Sequence, residues 1–387
     1  MSDFPRIDLE ASVLSTYSAA AGAATGLCCP VSYDPKLLAA IPAEVLERDY
    51  GCGDPTPWLR EGETVLDLGS GGGKGVFLAA QVVGPRGRVI GVDMNDDMLS
   101  LARRNAPAFA RKVGFFNVKF LKGRIQELGV DLEKLDGWLS RHPITAASGL
   151  TALEAELSRL RQHEPLVRAD SVDAVVSDCV LNLVRGDEKQ RLFQEIHRVL
   201  KRGGRAIISD IVSDEDVPAH LQQNPELWSG CVSGAMREDL FLKAFADAGL
   251  YGMQVLRRDV KPWRTVEGIE FRSVTVAAYK GKEGPCLDHK QAVIYRGPFS
   301  EVRDDDGHRL VRGVPVAVCA KTFGLYAKEP YREHFDLVEP RVPPAPAEVR
   351  PFPCGQDLVI RSAKETKGEG YEETTAAGPV CSGPGCC

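Results

Sequence analysis

Residues up to about 280 predict a doubly wound, mainly parallel α/β sheet, and three observations carry that prediction. Apolar, β-rich runs alternate with helical patterns along this part of the chain. A glycine cluster follows the first strand directly. An acid then closes the second strand, about 20 residues further on.

Taken in order, "TVLDLG" is the first strand, "SGGGKG" a turn, "VFLAAQVV" a helix stopped by "GPRG", and "RVIGVD" the second strand. "NDDMLSLARRN" opens a helix capped by Asn95, which Pro107 is expected to kink or end because proline cannot donate to the helical ladder. "NVKFLKG" and "SVDAVVSD" supply the third and fourth strands. Asp187 and Gln190 resemble a capping box ahead of Leu192, Phe193, Ile196, Val199 and Leu200, a helix face closed by Gly203 and Gly204. "RAIISDIV" is the fifth strand. "MREDLFLKAFADAGL" is a further amphipathic helix, and "MQVLRRDV" with "FRSVTVAAY" suggest an antiparallel pair at the end of the sheet.

Other parts are set off from this pattern. Residues 1–50 read as an N-terminal helical cap and 51–280 as the sheet domain. That domain carries an insertion at about 131–170, where Leu150, Leu153, Leu157 and Leu160 form one stripe of a surface helix. Residues 281–340 read as a small C-terminal domain. Residues 341–387 read as a proline-rich linker, "EPRVPPAPAEVRPFP", and a flexible tail too poor in apolar residues to fold, ending in Cys381, Cys386 and Cys387. No internal repeat is present.

Composition narrows the function classes. The chain of 387 residues is 43% hydrophobic with a formal charge of −6, which argues against a nucleic-acid partner. No apolar run approaches a membrane span, and "MSDFPRIDLE" lacks the order of a signal peptide, so a cytoplasmic protein is expected; a monomer is the expected assembly. Eleven cysteines without a C-x-x-C pair fit neither a disulfide framework nor a zinc ribbon.

The glycine turn points to a nucleoside cofactor. Gly69, Ser70, Gly71 and Gly73 let a ligand lie against the backbone, and Asp93 can accept hydrogen bonds from two ribose hydroxyls. A nicotinamide dinucleotide shares these features. S-adenosylmethionine is favoured because Asp67 suits a cationic amino end and would repel a pyrophosphate, while Met94 suits an adenine face.

The thiols are the second signal. Cys179 follows the fourth strand, where ligands of open α/β sheets bind. A thiol there makes a poor base but a good soft ligand or nucleophile. Cys231 lies in "LWSGCVSGAM" just before a helix, whose N-terminal dipole is expected to favour thiolate. Cys52, in "DYGCGDP", is flanked by glycines expected to leave its sulfur accessible. Taken singly, each of the three also reads as a small packed apolar residue.

Four stretches, "LCCPVSYDPKLLAAIPAEVLERDYGCG", "VLDLGSGGGKG", "SDCVLNLV" and "PELWSGCVSGAM", occur in an order that resembles the arsenite S-adenosylmethionine methyltransferases over roughly residues 10–280. That resemblance implies a Rossmann-like class I methyltransferase domain over 51–280. It implies Cys179 and Cys231 as As(III) ligands, with Cys52 as a redox or relay thiol and a candidate third ligand. The resemblance of the sheet domain to class I methyltransferases implies Arg124 and Ile125 of "KGRIQEL" near the adenine, with Ser177 also at the cofactor, and the arsenite family implies arsenite or methylarsenite as substrate and glutathione or thioredoxin as reductant. The family usually has a further cysteine where this chain has Val76; Cys28, Cys29 or the tail thiols are candidates to replace it.

The chemistry needs no general base, since no proton leaves arsenic when its lone pair takes the methyl group. The histidines accordingly show no metal-ligand spacing. Two other readings stand beside this one. The first is a methyltransferase for a small organic acceptor with Asp178 as base, and the second is a thiol-rich metalloid-binding protein. In this sequence reading the tail thiols form a separate candidate arm that captures metalloid.

Overall fold

The alternation read from the sequence is realised in a nine-stranded sheet. The structure is a computed structural model and describes residues 9–22, 33–48, 51–282, 284–354 and 358–368. The chain divides into two units, Met1–Gly281 and Lys282–Cys387.

In the first unit α1 (Leu9–Gly22), α2 (Pro35–Leu38) and α3 (Ala43–Leu46) precede the sheet. Then follow β1 (Thr64–Leu68), α4 (Lys74–Val83), β2 (Arg88–Asp93), α5 (Asp96–Val113) and β3 (Val118–Lys122). The insertion forms α6 (Leu132–Arg141) and α7 (Ser148–His163), and β4 (Val172–Asp178), α8 (Lys189–Val199) and β5 (Leu200–Ser213) resume the alternation. The unit closes with α9 (Ala219–Gln222), α10 (Pro225–Ser229), β6 (Met236–Arg237), α11 (Glu238–Asp247), β7 (Tyr251–Arg258), β8 (Arg264–Val266) and β9 (Ile269–Tyr279).

The main strand order is β3-β2-β1-β4-β5-β9-β7. β1 pairs in parallel with both β2 and β4, so the winding reverses between β1 and β4. The register Leu68↔Ser177 brings Gly69 and Asp178 to the same carboxyl edge, the switch point where such sheets bind ligands. β9 runs antiparallel between β5 and β7, the arrangement the last two apolar runs suggested.

Successive strand residues face opposite ways, so the core has two layers. Leu66, Leu68, Val175 and Ile208 pack with Phe193, Phe241 and Phe245 from α8 and α11. Val65, Val176 and Ile207 pack with Phe77 and Phe109 from α4 and α5. Both strand faces are buried, which is why β1 and β4 read as nearly continuous apolar runs.

Three local expectations are corrected. α5 runs through Pro107 to Val113, because Leu101, Ala102, Ala106 and Phe109 bury one face on both sides of the proline, offsetting its lost hydrogen bond. No side-chain cap opens α8: Glu188 holds the N-cap position, a tight turn over Gly186–Glu188 precedes it, and Asp187 accepts from Arg185 Nη2 at 2.8 Å. α8 ends at Val199, not at the glycines, since Gly203 and Gly204 fall within β5 where its pairing with β4 slips. In the insertion, Leu160 is buried while Leu150 is 52% exposed, so the stripe packs at its C-terminal end.

The second unit contains β10 (Leu287–Asp288), β11 (Ala292–Tyr295), β12 (Glu301–Arg303), β13 (Arg309–Val311), β14 (Pro315–Ala317), α12 (Ala320–Tyr326), β15 (Phe335–Val338), β16 (Arg350–Pro351) and α13 (Ala363–Lys367). Its core gathers Val293, Tyr295, Phe323, Tyr326 and Phe335, with Tyr326 stacked on Phe335 at 4.4 Å. The proline-rich stretch is more than a linker, since it supplies β16 and the buried Phe352. Cys28, Cys29, Cys381, Cys386 and Cys387 lie outside the described residues.

Candidate active site

The floor of the site is the turn from β1 into α4. Gly71 has φ +49°, and a Cβ placed there would meet no atom within 4 Å, so the turn leaves a cradle for a ligand. The Gly71 N–H donates to Asp93 Oδ2 at 2.8 Å and the Asn95 N–H to Oδ1 at 2.9 Å, which fixes the acid at the end of β2. Burial pushes the Asp93 carboxyl up, while those backbone donors pull it back. Asp67 is pushed up to about 8, first by burial and then by the charge of Asp93. Ser70 keeps a buried hydroxyl that has no hydrogen-bond partner.

These residues line a cleft of about 1390 Å³ including its open mouth, together with Met94, Ile125, Ser177 and Cys179. Ser177 also pins the two central strands, its Oγ donating to the Leu68 carbonyl at 3.0 Å. Gly73 and Arg124 are not among the lining residues. Gly73 caps the N-terminus of α4, and Arg124 is exposed beside its bridge partner Glu127.

At the rim, Cys52 and Cys179 are joined in a disulfide with Cα atoms 5.7 Å apart, and Cys231 Sγ donates to the Cys179 carbonyl at 3.1 Å. The two cysteines expected to act together therefore meet, and the third is bonded to one of them. Cys179 and Cys231 both hold positive φ, 56° and 61°, a region that non-glycine residues rarely occupy. Their surroundings enforce it: the Cys179 N–H donates to the Ser209 carbonyl at 2.9 Å and the Cys231 N–H to Trp228 at 3.0 Å. Such strain costs about 1–3 kcal/mol per residue and collects where chemistry is done.

Two sequence expectations about these thiols are corrected. Cys52 is 1% exposed, not accessible. Its flanking glycines serve close packing: a Cβ at Gly51 would lie 1.9 Å from Asp178 Oδ2, and one at Gly53 would lie 2.2 Å from Ser209 Oγ. The turn sinks into the protein, where Asp178 Oδ1 accepts the Cys52 N–H at 2.6 Å. Cys231 does not sit at a helix N-terminus; it follows α10, and α11 begins only at Glu238.

The charge beside Cys231 is instead Lys189. Its Nζ donates to the Gly234 carbonyl and to Asn182 Oδ1, and burial pushes its pKa down to about 8 while Asp210 and Cys231 pull it up. Asp210 accepts the Leu181 and Asn182 N–H groups and is pushed up to about 6 by burial. Asn182 Nδ2 donates to Ile211 O at 2.6 Å and to Cys231 O at 3.3 Å, tying the two thiol loops together. The loops touch so closely that a Cβ at Gly234 would lie 1.9 Å from the Asn182 carbonyl oxygen.

Sequence reasoning missed this network, along with Gln126, Tyr33 and Lys74, which also line the cleft. Lys74 Nζ lies 3.5 Å from the centre of the Tyr33 ring, and the Tyr33 hydroxyl donates to Gly53 O at 3.1 Å. Lys74 had a signal in its place right after the glycines; Tyr33 had none. Val76, at the position where a further thiol was expected, is fully buried in the core.

Comparison with known proteins sets this geometry in a family. The methyltransferase domain family matches residues 59–160 and 144–249. The chain is 32% identical to the arsenite methyltransferase of Aquipseudomonas alcaligenes over 330 residues, covering 81% of this chain and 85% of that protein. It belongs to the arsenite methyltransferase family. The mouse member, from Mus musculus, is 32% identical over 79% of this chain and 74% of its own length. The crystal structure of CrArsM, an arsenic(III) S-adenosylmethionine methyltransferase from Chlamydomonas reinhardtii, superposes with a TM-score of 0.54 at 29% identity, covering 81% of this chain and 99% of that one. Residues 282–371 match a domain of unknown function, DUF8838, a match that begins where the second unit begins.

Proposed function

We propose that this arsenite methyltransferase family member transfers the methyl group of S-adenosylmethionine to trivalent arsenic held by Cys179 and Cys231, with Cys52 as their exchange partner. One observation carries the reading most: Cys179 is bonded to Cys52 and accepts a hydrogen bond from Cys231 at the rim of a nucleoside-sized cleft.

When bound, S-adenosylmethionine supplies a methyl group activated by a sulfonium. The residues present fit it. The Asp67 carboxyl suits a cationic group once ionised, the unpartnered Ser70 hydroxyl awaits a polar one, and the open space at Gly71 accepts a ligand. Asp93 has lone pairs left for ribose hydroxyls, and Met94 offers an apolar wall.

Two external thiol equivalents, from glutathione or thioredoxin, open the Cys52–Cys179 disulfide and leave as a disulfide themselves. Cys179 and Cys231 then replace two hydroxyls of arsenite, releasing two waters. Lys189 beside Cys231 favours the thiolate, and the buried setting of the sulfurs excludes water. The arsenic lone pair forms the As–C bond as the methyl's C–S bond breaks toward sulfur. Arsenic formally loses two electrons, and two thiols restore them by joining in a disulfide, a pairing that Cys52 and Cys179 can adopt. No base is required, and Asp178 is engaged in holding the Cys52 backbone.

The test uses reduced protein with arsenite, S-adenosylmethionine and glutathione, and separates arsenic species by chromatography. Methylated arsenic is expected from the native chain. Cys179→Ser and Cys231→Ser should yield on the order of a hundredfold less or lower still, although both should still bind S-adenosylmethionine. Undiminished methylation by both variants contradicts the proposal.

A further inference from the structure

Among its described residues the second unit holds three cysteines that the transfer chemistry does not use. Cys286, Cys319 and Cys354 come from three segments far apart in the chain, yet their Sγ atoms all lie within 4.8 Å of one another. The backbone builds this meeting. β10, just after Cys286, pairs with β16, just before Cys354, through Leu287↔Pro351 and Asp288↔Arg350. The Phe352 N–H donates to the Cys286 carbonyl at 2.9 Å, and the Cys354 N–H to the Phe352 carbonyl at 2.9 Å. Cys319 ends the β14 segment, whose Ala317 donates to Val359 O at 2.7 Å, and it packs with Phe352 in the same small apolar cluster.

The spacing suits one central atom. Three thiolates bound at about 2.3 Å from one pyramidal centre lie about 3.4 Å apart. From the observed limit of 4.8 Å the sulfurs close on such an atom by side-chain rotation. The set is graded in exposure, with Cys319 buried, Cys286 half-buried and Cys354 exposed, so a ligand can enter from solvent. Cys354 donates to Cys286, and the Lys321 ammonium lies beside Cys286. Cys319 is fixed by the Thr322 N–H, which donates to its Sγ at 3.4 Å.

The donor set decides the ligand class. It consists of three sulfurs with, among the described residues, no histidine or carboxylate in the group. Structural zinc takes four protein ligands. A trivalent metalloid takes three and completes its shell with its own lone pair.

We propose that Cys286, Cys319 and Cys354 form a second metalloid site that binds trivalent arsenic or antimony as a three-thiolate complex. Three thiols condense with one As(OH)₃, forming three As–S bonds and releasing three waters. Nothing is oxidised or reduced, and the site takes up metalloid without transferring methyl groups.

The test takes the full-length chain with Cys52, Cys179 and Cys231 replaced by serine, reduced with a phosphine and titrated with arsenite. Bound arsenic is counted by mass spectrometry after desalting, with the tail thiols the same in every sample. Adding Cys354→Ser or Cys286→Ser should remove one arsenic per chain, or weaken its binding by at least about tenfold as one arm of the chelate is lost. Circular dichroism checks the fold, and Cys319, which caps α12, is left in place. Unchanged arsenic stoichiometry and affinity overturns the proposal. So does a site that takes zinc in preference to arsenite, or a Cys286–Cys354 disulfide that survives reduction. In the otherwise native chain, Cys354→Ser should keep turnover at saturating arsenite within about twofold. Loss of turnover there contradicts a separate site. The outcome does not depend on whether the first site methylates, because the titration reads binding in a chain that lacks those thiols.

Discussion

Among the described residues sulfur gathers in two places, and the two are built differently. In the first unit Cys179 and Cys231 sit on strained turns with positive φ, and Cys52, Cys179 and Cys231 are all at most 6% exposed. A buried network of Lys189, Asp210 and Asn182 locks the loops that carry Cys179 and Cys231. In the second unit Cys319 has ordinary extended backbone, φ −68° and ψ 160°, and Cys354 is exposed. Strain and burial accompany the sulfurs that border the cofactor cleft. Backbone without positive φ, and an opening to solvent at Cys354, accompany the trio proposed only to bind. The contrast suggests that gripping a metalloid needs little beyond three sulfurs in reach, whereas presenting it to a methyl group needs preorganised loops.

The contrast is sharpest if single thiols are removed from the first cluster. Cys179→Ser and Cys231→Ser should each lower turnover by on the order of a hundredfold or more, the scale of misplaced reactants. Steady-state rates from resolved arsenic species check this. The supporting network comes next. Lys189→Met strips the cation from a buried polar cluster and should destabilise the first unit by about 3 kcal/mol or more, read by urea unfolding. It should lower turnover even where the variant remains folded. Full stability and full rate would mean that the network does not hold the thiol loops.

A smaller effect concerns the cofactor floor. The Asp67 carboxyl has its folded pKa raised to about 8, so the fold favours its protonated form. The unbound protein should therefore lose stability as pH rises from the ordinary carboxylate range through about 8. A cationic ligand needs the ionised form, so S-adenosylmethionine affinity should rise with pH over the same window, by at most about tenfold per unit, and level off above it. Asp67→Asn should bind weakly with a flat pH profile while stabilising the unbound protein at alkaline pH. Calorimetry at several pH values decides it, and a native profile with no slope would contradict the role given to Asp67. The least effect is expected from Cys286→Ser, which should leave turnover at saturating arsenite within about twofold.

Legibility followed locality. The sheet, its switch point and the cofactor turn were readable because strand, glycines and acid lie within one short stretch, from Asp67 to Asp93. The thiols of the first site were readable as motifs, "DYGCG" and "CVLNL", although their setting was misjudged. The glycines around Cys52 serve close approach to Asp178 and Ser209, and a glycine next to a functional residue reads the same in sequence whether it exposes or buries it. Lys189 and Asp210 were missed because each looks like an ordinary surface charge until folding places it under the thiol loops. The trio in the second unit carries no motif at all. Pairing of β10 with β16 brings Cys286 and Cys354 together across more than 60 intervening residues, and no sequence spacing encodes that.

The most direct measurement is a single turnover: reduced protein loaded with one equivalent of arsenite is mixed with labelled S-adenosylmethionine, and label on arsenic is followed in time. The native chain should place the label on arsenic. The Cys179→Ser/Cys231→Ser chain should bind the labelled cofactor and leave arsenic unlabelled. Labelled arsenic appearing at the native rate in that double variant would contradict the account.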